Sequence, residues 1–592
     1  MSAGAEPSAE KSQIRDGMRI DWEVPIQMDD DLVLRADIFR PITPGRYPVI
    51  LSYGPYGKGL AFQEGYKTAW EIMGNEFPDA LEASTNNYAN WEVVDPEKWV
   101  PDGYVCVRVD SRGAGRSPGF LSHNDARESR DLYLCIEWAA AQPWSSGKVG
   151  MNGISYYASN QWRAAAVQPP HLAAICVWEG WSDCYRDGAR HGGIACTFRK
   201  NWQEMQVKTV QHGQGTRGAK SALTGELVCG PETLSEADLI KNREDLWGNY
   251  LSHPNDDAYY RERTADLSKV TVPLLSAANW GGQGLHTRGN FEGFLGAASR
   301  QKWLEVHGGS HWSPFYTRWG VALQKRFFDY FLKGVDNGWD QTPRVVLKVR
   351  HPGEKFVERA ENEWPLTRTK WTNFYLDLAN KQLTTTAPSA DATATYDAMG
   401  DGLTFSTPVL EADTEVTGPS ALKLFVSSST VDVDVFAVLR VFDASAKEVV
   451  FQGALDPHTP VGQGWLRGSQ RKLDTARSLP YRPYHPHDEK QPMVPGQVYE
   501  LDVEIWPTCI VVPKGYRIAL TIRGKDYEWD GAATRLSNMK NPMKGCGPFE
   551  HDDETDRPAA VFANKVTLHV GANRKANVLL PVIPPKALNG RS

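Results

Sequence analysis

The stretch Val149-Gly150-Met151-Asn152-Gly153-Ile154-Ser155-Tyr156-Tyr157-Ala158 constrains this chain more than any other. A β-prone run beginning near Lys148 ends in Asn152-Gly153. A helix-compatible run follows from Tyr156 to about Val167, and Pro169-Pro170 stops it. Ser155 therefore stands at a sharp strand-to-helix turn. Such a turn, the nucleophile elbow, pushes a hydroxyl out above a sheet and aims the amides of the helix start at whatever reacts there. The pattern departs from G-x-S-x-G, because Tyr157 occupies the second glycine position. Gly-Ile-Ser alone arises often by chance, so its meaning rests on the flanking elements.

Those elements alternate. Residues 19–24 and 32–38 alternate polar and apolar side chains, as half-buried strands do. Residues 47–51 read as a buried strand ending in Tyr53-Gly54-Pro55-Tyr56-Gly57-Lys58, and 58–100 as a long, partly helical connection. A central strand at 104–109 ends in Asp110-Ser111-Arg112-Gly113, and 125–141 is a helix with Leu132, Cys135, Ile136 and Ala139 on one face. Residues 172–178 form another buried strand, ending at Glu179. Residues 180–265 are polar, Gly-rich and patchily helical, the composition of a cap inserted over a site. The sheet resumes at 270–278 and 303–306, with helices at 286–297 and 315–333. The pattern predicts an α/β class, a mainly parallel sheet with crossover helices.

After Gly334 the period changes from helix to strand, clearest where Tyr499, Leu501, Val503 and Ile505 alternate with Glu500, Asp502 and Glu504. The expected organisation is a disordered N-terminus at 1–17, an α/β domain at 18–179 and 266–340, a helical cap at 180–265, and an all-β jelly-roll sandwich at 341–592. A chain of 592 residues is too long for one core and fits two or three domains.

Composition excludes several classes. Lys plus Arg number 65 against 72 Asp plus Glu, a net charge of −7 with no basic block, so nucleic acid is a poor partner. No run of about 18 apolar residues marks a membrane span, and residues 1–17 carry no apolar signal core. Eight cysteines include no C-x-x-C pair, and Cys106, Cys135 and Cys176 sit in apolar runs, as buried thiols of a reducing compartment do. A cytoplasmic location is the expectation. The run Glu550-His551-Asp552-Asp553-Glu554 invites a metal reading, but consecutive polar residues without scaffold spacing read as a solvated loop. Neither cofactor nor metal is expected.

Serine hydrolysis needs a nucleophile, a base, an acid that orients the base, and donors for the oxyanion. With Ser155 as nucleophile, the base belongs in the loop after the last strand, where His307-Gly308-Gly309-Ser310-His311-Trp312 stands. His311 has that place; His307 lies nearer the strand end and reads as packed there. Asp110 and Arg112 read as a pair pinning the loop beside the nucleophile.

Tyr56 after the third strand, Asp110-x-Arg112-Gly113, Gly153-x-Ser155-Tyr156 and Gly309-Ser310-His311, in this order and spacing, resemble the cocaine esterase and Xaa-Pro dipeptidyl-peptidase family of hydrolases. The resemblance covers nearly the whole chain from about residue 18, and the cap and C-terminal jelly roll fit it. It implies an α/β-hydrolase fold, Ser155 as nucleophile, His311 as base, and an oxyanion hole made by the Tyr56 hydroxyl and the Tyr156 backbone N–H. It also implies a triad Asp after the strand at 270–278. Here that run reads Asn279-Trp280-Gly281-Gly282-Gln283-Gly284, with Gly282 at the Asp position and no carboxylate nearby. The end of the neighbouring strand supplies an alternative, Glu179, whose longer side chain fits the space the glycines leave; Asp183 is the second candidate. The expected activity is cleavage of a small-molecule ester or amide through an acyl-enzyme. Xaa-Pro-type aminopeptidase, with Glu179, Asp183 or Asp187 binding a substrate amine, and acyltransferase are the alternatives. A degenerate hydrolase acting as a binding protein is the non-enzymatic one. A homodimer is plausible by resemblance.

Overall fold

A computed structural model describes residues 11–585. The first sheet is built by β1 (Ser12–Arg15), β2 (Met18–Gln27), β3 (Val33–Pro41), β4 (Tyr47–Gly54), β5 (Val105–Asp110), β6 (Ser145–Ile154) and β7 (Leu172–Trp178). The cap contributes a separate two-stranded hairpin, β8 (Arg190–His191) and β9 (Ile194–Ala195). The first sheet then continues with β10 (Leu274–Asn279), β11 (Lys302–His307), β12 (Val345–His351) and β13 (Lys355–Glu361). Its spatial order is β1-β2-β3-β5-β4-β6-β7-β10-β11-β12-β13. The run from β5 through β12 is parallel, and antiparallel strands flank it on both sides.

The central strands β4 to β7 and β10 are almost wholly buried, as sheets covered by helices on both faces require. Helix Ala126–Ala140 packs Leu132, Cys135, Ile136 and Ala139 into the core on one face, and Asp125 caps it by accepting from the Glu128 N–H. Helix Tyr156–Ala166 follows β6, and helix Thr287–Gly296 follows β10.

Two expected boundaries move. Residues 12–15, placed in a disordered tail, form β1 by pairing with β2; residues 1–10 lie outside the described part. The first strands assigned to the jelly roll, at 344–350 and beyond, are β12 and β13. β12 adds to β11 in parallel and so extends the first sheet. An alternating strand looks the same whichever sheet it joins. The single helix expected at 315–333 is broken: Thr317 caps a new start, Arg318–Phe328, after the short turn Ser313–Tyr316.

Eleven strands between Lys370 and Ile583 build the second sheet. Its last strand, Asn577–Ile583, pairs antiparallel with both Lys370–Asp377 and Thr414–Ser428, so the sheet closes on itself around an aliphatic core. Closure leaves the strand Ala392–Asp397, which among the described residues pairs only with Lys565–Val570, as the remaining edge. This domain docks on the first through buried Arg350, which donates to the carbonyls of Cys509 and Val461 and to Thr508. No helix among the described residues is long and apolar enough to cross a membrane. All eight cysteines are unpaired and buried.

Candidate active site

β6 ends in a turn that holds Ser155 at φ 58° and ψ −110°, the left-handed conformation of a strained elbow. Gly153 is required here: a Cβ would lie 2.5 Å from Tyr157 Cβ and 3.0 Å from the Glu92 carbonyl. Tyr157, in place of the motif's second glycine, lays its ring over Gly54, where a Cβ would meet ring carbons at 2.6 Å. The missing glycine has in effect moved to the neighbouring strand. The Ser155 N–H is shared by the carbonyls of Trp178 and Glu179, which ties the elbow to the end of β7.

Glu179 follows β7 at φ +52° and is fully buried. Its Oε2 lies 2.7 Å from His311 Nδ1, and its Oε1 accepts from Asn279 Nδ2 at 3.1 Å and faces His307 Nε2 at 3.2 Å. Burial alone would raise this carboxyl, but His311 and His307 outweigh burial and hold it at about 2. The same exchange acts on His311: burial opposes its charge, while Glu179 and Glu92 raise it to about 10. β7 and β10 are neighbours in the sheet, so Glu179 meets Asn279 at the end of β10, and a Cβ at Gly282 would press on Thr287. His307 is bound between Glu305 and Glu179 beneath the site and does not line it.

Two residues that the sequence did not single out meet at the hydroxyl. Ser155 Oγ lies 3.0 Å from His286 Nε2, not on His311. The Trp181 N–H donates to His286 Nδ1, so the ring hydrogen sits on Nε2 and points at Ser155. Burial, then the charge of stacked His311, keeps His286 neutral. Glu92 stands across from it: Oε1 is 3.0 Å from His311 Nε2, and its backbone carbonyl accepts from the Ile154 N–H. Burial pushes the Glu92 carboxyl up, and His311 offsets only part of that.

The Tyr56 hydroxyl accepts from Trp202 Nε1 at 2.9 Å, which leaves its own hydrogen free, and burial keeps the phenol protonated. The Tyr156 N–H opens a helix and has no intrahelical acceptor; its side chain turns away to Glu128. Ser155, Tyr56, Glu92, His286 and His311 open into one narrow cavity of about 30 Å³, walled by Trp91, Phe198, Trp202, Leu285, Leu536, Met539 and Phe549.

Other candidates are engaged elsewhere. Asp183 binds Arg186, and Asp187 binds Arg288. Asp110 accepts from the backbone of Lys58 and Arg116, while Arg112 pairs with Asp131 and Asp30, so both brace the loop without pairing with each other.

The profile of the X-Pro dipeptidyl-peptidase (S15) family matches residues 30–313, and that of the X-Pro dipeptidyl-peptidase C-terminal non-catalytic domain matches 337–557. A CocE/NonD family hydrolase from Staphylococcus aureus superimposes with a TM-score of 0.82 at 31% identity, over 96% of this chain and 94% of that one. The chain belongs to the CocE/NonD family of hydrolases. Relatives include a cocaine esterase of a Rhodococcus species, 27% identical over 95% of this chain and 98% of its own. A putative Xaa-Pro dipeptidyl-peptidase of Bacillus cereus is 22% identical over 83% of this chain and 82% of its own. The family is one of serine hydrolases acting on ester or peptide bonds. In this CocE/NonD chain, the signal for Glu92 was faint: it lies in the irregular connection 58–100, where no period marks it. His286 was visible only as the start of a helix.

Proposed function

We propose that this hydrolase cleaves carboxylic esters or amides of small, uncharged acyl groups through an acyl-enzyme on Ser155. His311 is the base, Glu179 its orienting acid, and the Tyr56 hydroxyl with the Tyr156 N–H stabilises the oxyanion. The observation carrying the reading is that ionised Glu179 lies 2.7 Å from His311 Nδ1, while His311 and Ser155 line the same cavity. The His286 Nε2–H already occupies one lone pair of Ser155 Oγ, so the serine hydrogen is directed away from His286, toward Glu92, whose other contact is His311 Nε2. His286 is therefore a donor that steadies the developing alkoxide, not the base.

In the reaction, Ser155 Oγ bonds to the acyl carbon while its proton passes to His311, which exchanges its Glu92 contact for the serine. His311 then protonates the leaving oxygen or nitrogen as that bond breaks. Water, deprotonated by His311, attacks the acyl-enzyme and releases the acid. The narrow apolar cavity favours small acyl groups. Aminopeptidase chemistry is the weaker reading, because Asp183 and Asp187 are held by Arg186 and Arg288, and Glu92, the carboxylate that does line the cavity, is engaged by His311.

The test is burst kinetics with p-nitrophenyl acetate beside an aminoacyl p-nitroanilide. The wild type should show a burst on the ester, and Ser155→Ala should show none. Glu179→Gln should lose about 10⁴-fold in kcat, the scale seen when a triad acid loses its charge, while Asp183→Asn stays near wild type. A near-wild-type Glu179→Gln rejects the acid assignment, and faster turnover of the anilide rejects the substrate class.

A further inference from the structure

The run 550–554 does not stand as an isolated solvated loop. The cap hairpin β8–β9 inserts against the closed sheet, where a Cβ on Gly192 would lie 2.1 Å from the Trp465 carbonyl oxygen and the Arg467 N–H donates to the Gly192 carbonyl. The Thr197 N–H donates to the Glu550 carbonyl, and Arg190 binds Asp556. This clamp brings His191 and Cys196 of the cap onto His551. One ligand atom from each of the three buried side chains lies within 4.8 Å of the others.

The hydrogen bonds decide which nitrogens carry hydrogen. His191 Nε2 lies 3.1 Å from the Asp187 carbonyl oxygen, an atom that only accepts, so Nε2 bears the hydrogen. His551 Nδ1 lies 2.8 Å from Asp526 Oδ1, and the same carboxylate accepts the His551 N–H on its other oxygen, so Nδ1 is a donor. Their remaining nitrogens, His191 Nδ1 and His551 Nε2, then face each other with lone pairs at 2.8 Å, both side chains buried. Two such acceptors repel unless a positive species joins them. A proton would join the nitrogens but has no use for the thiol beside them. A borderline-soft divalent cation uses all three.

We propose that His191 Nδ1, His551 Nε2 and Cys196 Sγ form a structural site for a zinc-class divalent cation that fastens the cap to the C-terminal domain. Asp526 acts behind His551 as carboxylates do behind metal-bound imidazoles, fixing the ring and its tautomer. Binding displaces the thiol proton to solvent, so one thiolate and Asp526 balance the two positive charges. Tetrahedral bonds of about 2.0–2.1 Å need the nitrogens about 3.4 Å apart, an opening of a fraction of an ångström. A cavity of about 500 Å³ leads to His551 from the surface, and the five carboxylates of Asp526, Glu528, Glu550, Asp552 and Glu554 outnumber Lys525, Lys544 and Arg557 in its lining, a balance that favours cations. The fastening bears on the substrate cavity. Phe198 and Phe549, each two residues from a ligand, pack on each other at 5.1 Å and form part of its wall.

The test uses the full-length protein, stripped by chelator dialysis and titrated with Co²⁺ as the probe. One equivalent should bind with tetrahedral d–d bands and a thiolate-to-cobalt charge-transfer band, and Zn²⁺ should displace it and raise Tm. Cys196→Ser should abolish the charge-transfer band. Asp526→Asn, which keeps every ligand, should weaken affinity about 10–100-fold. Absence of stoichiometric binding, or binding without the thiolate band, overturns the site and leaves a proton-bridged histidine pair. These readouts do not depend on ester turnover, so failure of the site is distinct from failure of the catalytic assignment.

Discussion

Glu92 is the residue whose role separates this site from an ordinary triad. His311 is bracketed by two carboxylates, Glu179 at Nδ1 and Glu92 at Nε2, and together they raise it to about 10 against the burial that lowers it. Attack by Ser155 needs His311 unprotonated, so in the free enzyme kcat/KM should still be rising with pH above neutrality. Glu92→Gln removes one raising charge and leaves Glu179 in place. Its rising limb should therefore shift to lower pH, whereas a residue serving only to pack would lower the whole profile without moving its limb. The stability sign follows the same pair. The raised His311 stabilises the fold fully below its unfolded value of about 6.5, and that contribution is lost as pH climbs toward about 10. Depressed Glu179 contributes above about 4.5, and its share is lost as pH falls toward about 2. Measured kcat/KM profiles and Tm against pH for wild type and Glu92→Gln check both.

At the scale of elements, the elbow works because two glycines and one tyrosine fit together across β4 and β6. A Cβ on Gly54 would run into the Tyr157 ring. Gly54→Ala should therefore destabilise the protein and displace Ser155, and Tyr157→Ala should restore much of the loss. The double-mutant cycle should give a coupling energy within the 0.5–3 kcal/mol that touching residues show, about 1 or more here; additive Tm changes would show the two side chains do not bear on each other. The strand-turn-helix around Ser155 was legible because each segment is short, apolar and bounded by Gly or Pro. The place of Glu179 was legible for a different reason: adjacent parallel strands put their C-terminal ends together, so a carboxylate ending β7 meets Asn279 at the end of β10. Glu92 was not legible. It is held at φ +63° by a backbone bond to β6 and by burial, neither of which leaves a pattern in sequence. The edge pair β12–β13 joins the first sheet although the C-terminal profile includes it, because a period of two states that a strand exists, not which sheet it joins.

At the scale of the whole molecule, the C-terminal domain completes the site. The His311 N–H donates to the Ala454 carbonyl, and the Ala454 N–H donates to the Gly281 carbonyl, so a loop of the second domain is stitched between His311 and the turn after β10. Gly281 permits this approach, since a Cβ there would lie 2.5 Å from Gly453. The same domain sends Leu536, Met539 and Phe549 over Ser155, closing the cavity from above. Acyl-chain selectivity should therefore reside in a domain that contributes no catalytic group. Met539→Ala and Leu536→Ala remove apolar wall but no hydrogen bond of the Glu179–His311 pair, so the burst on acetyl esters should persist. Preference should move toward longer chains: each methylene accommodated in an apolar pocket is worth about 1–3 kcal/mol, or roughly 10–200-fold in kcat/KM. The measurement is kcat/KM across p-nitrophenyl acetate, butyrate and hexanoate. A ratio of hexanoate to acetate that rises at least tenfold in Met539→Ala places the selectivity in the lid. A ratio that stays fixed would move it to Trp91, Trp202 and Leu285, the walls that the hydrolase domain and its cap build for themselves.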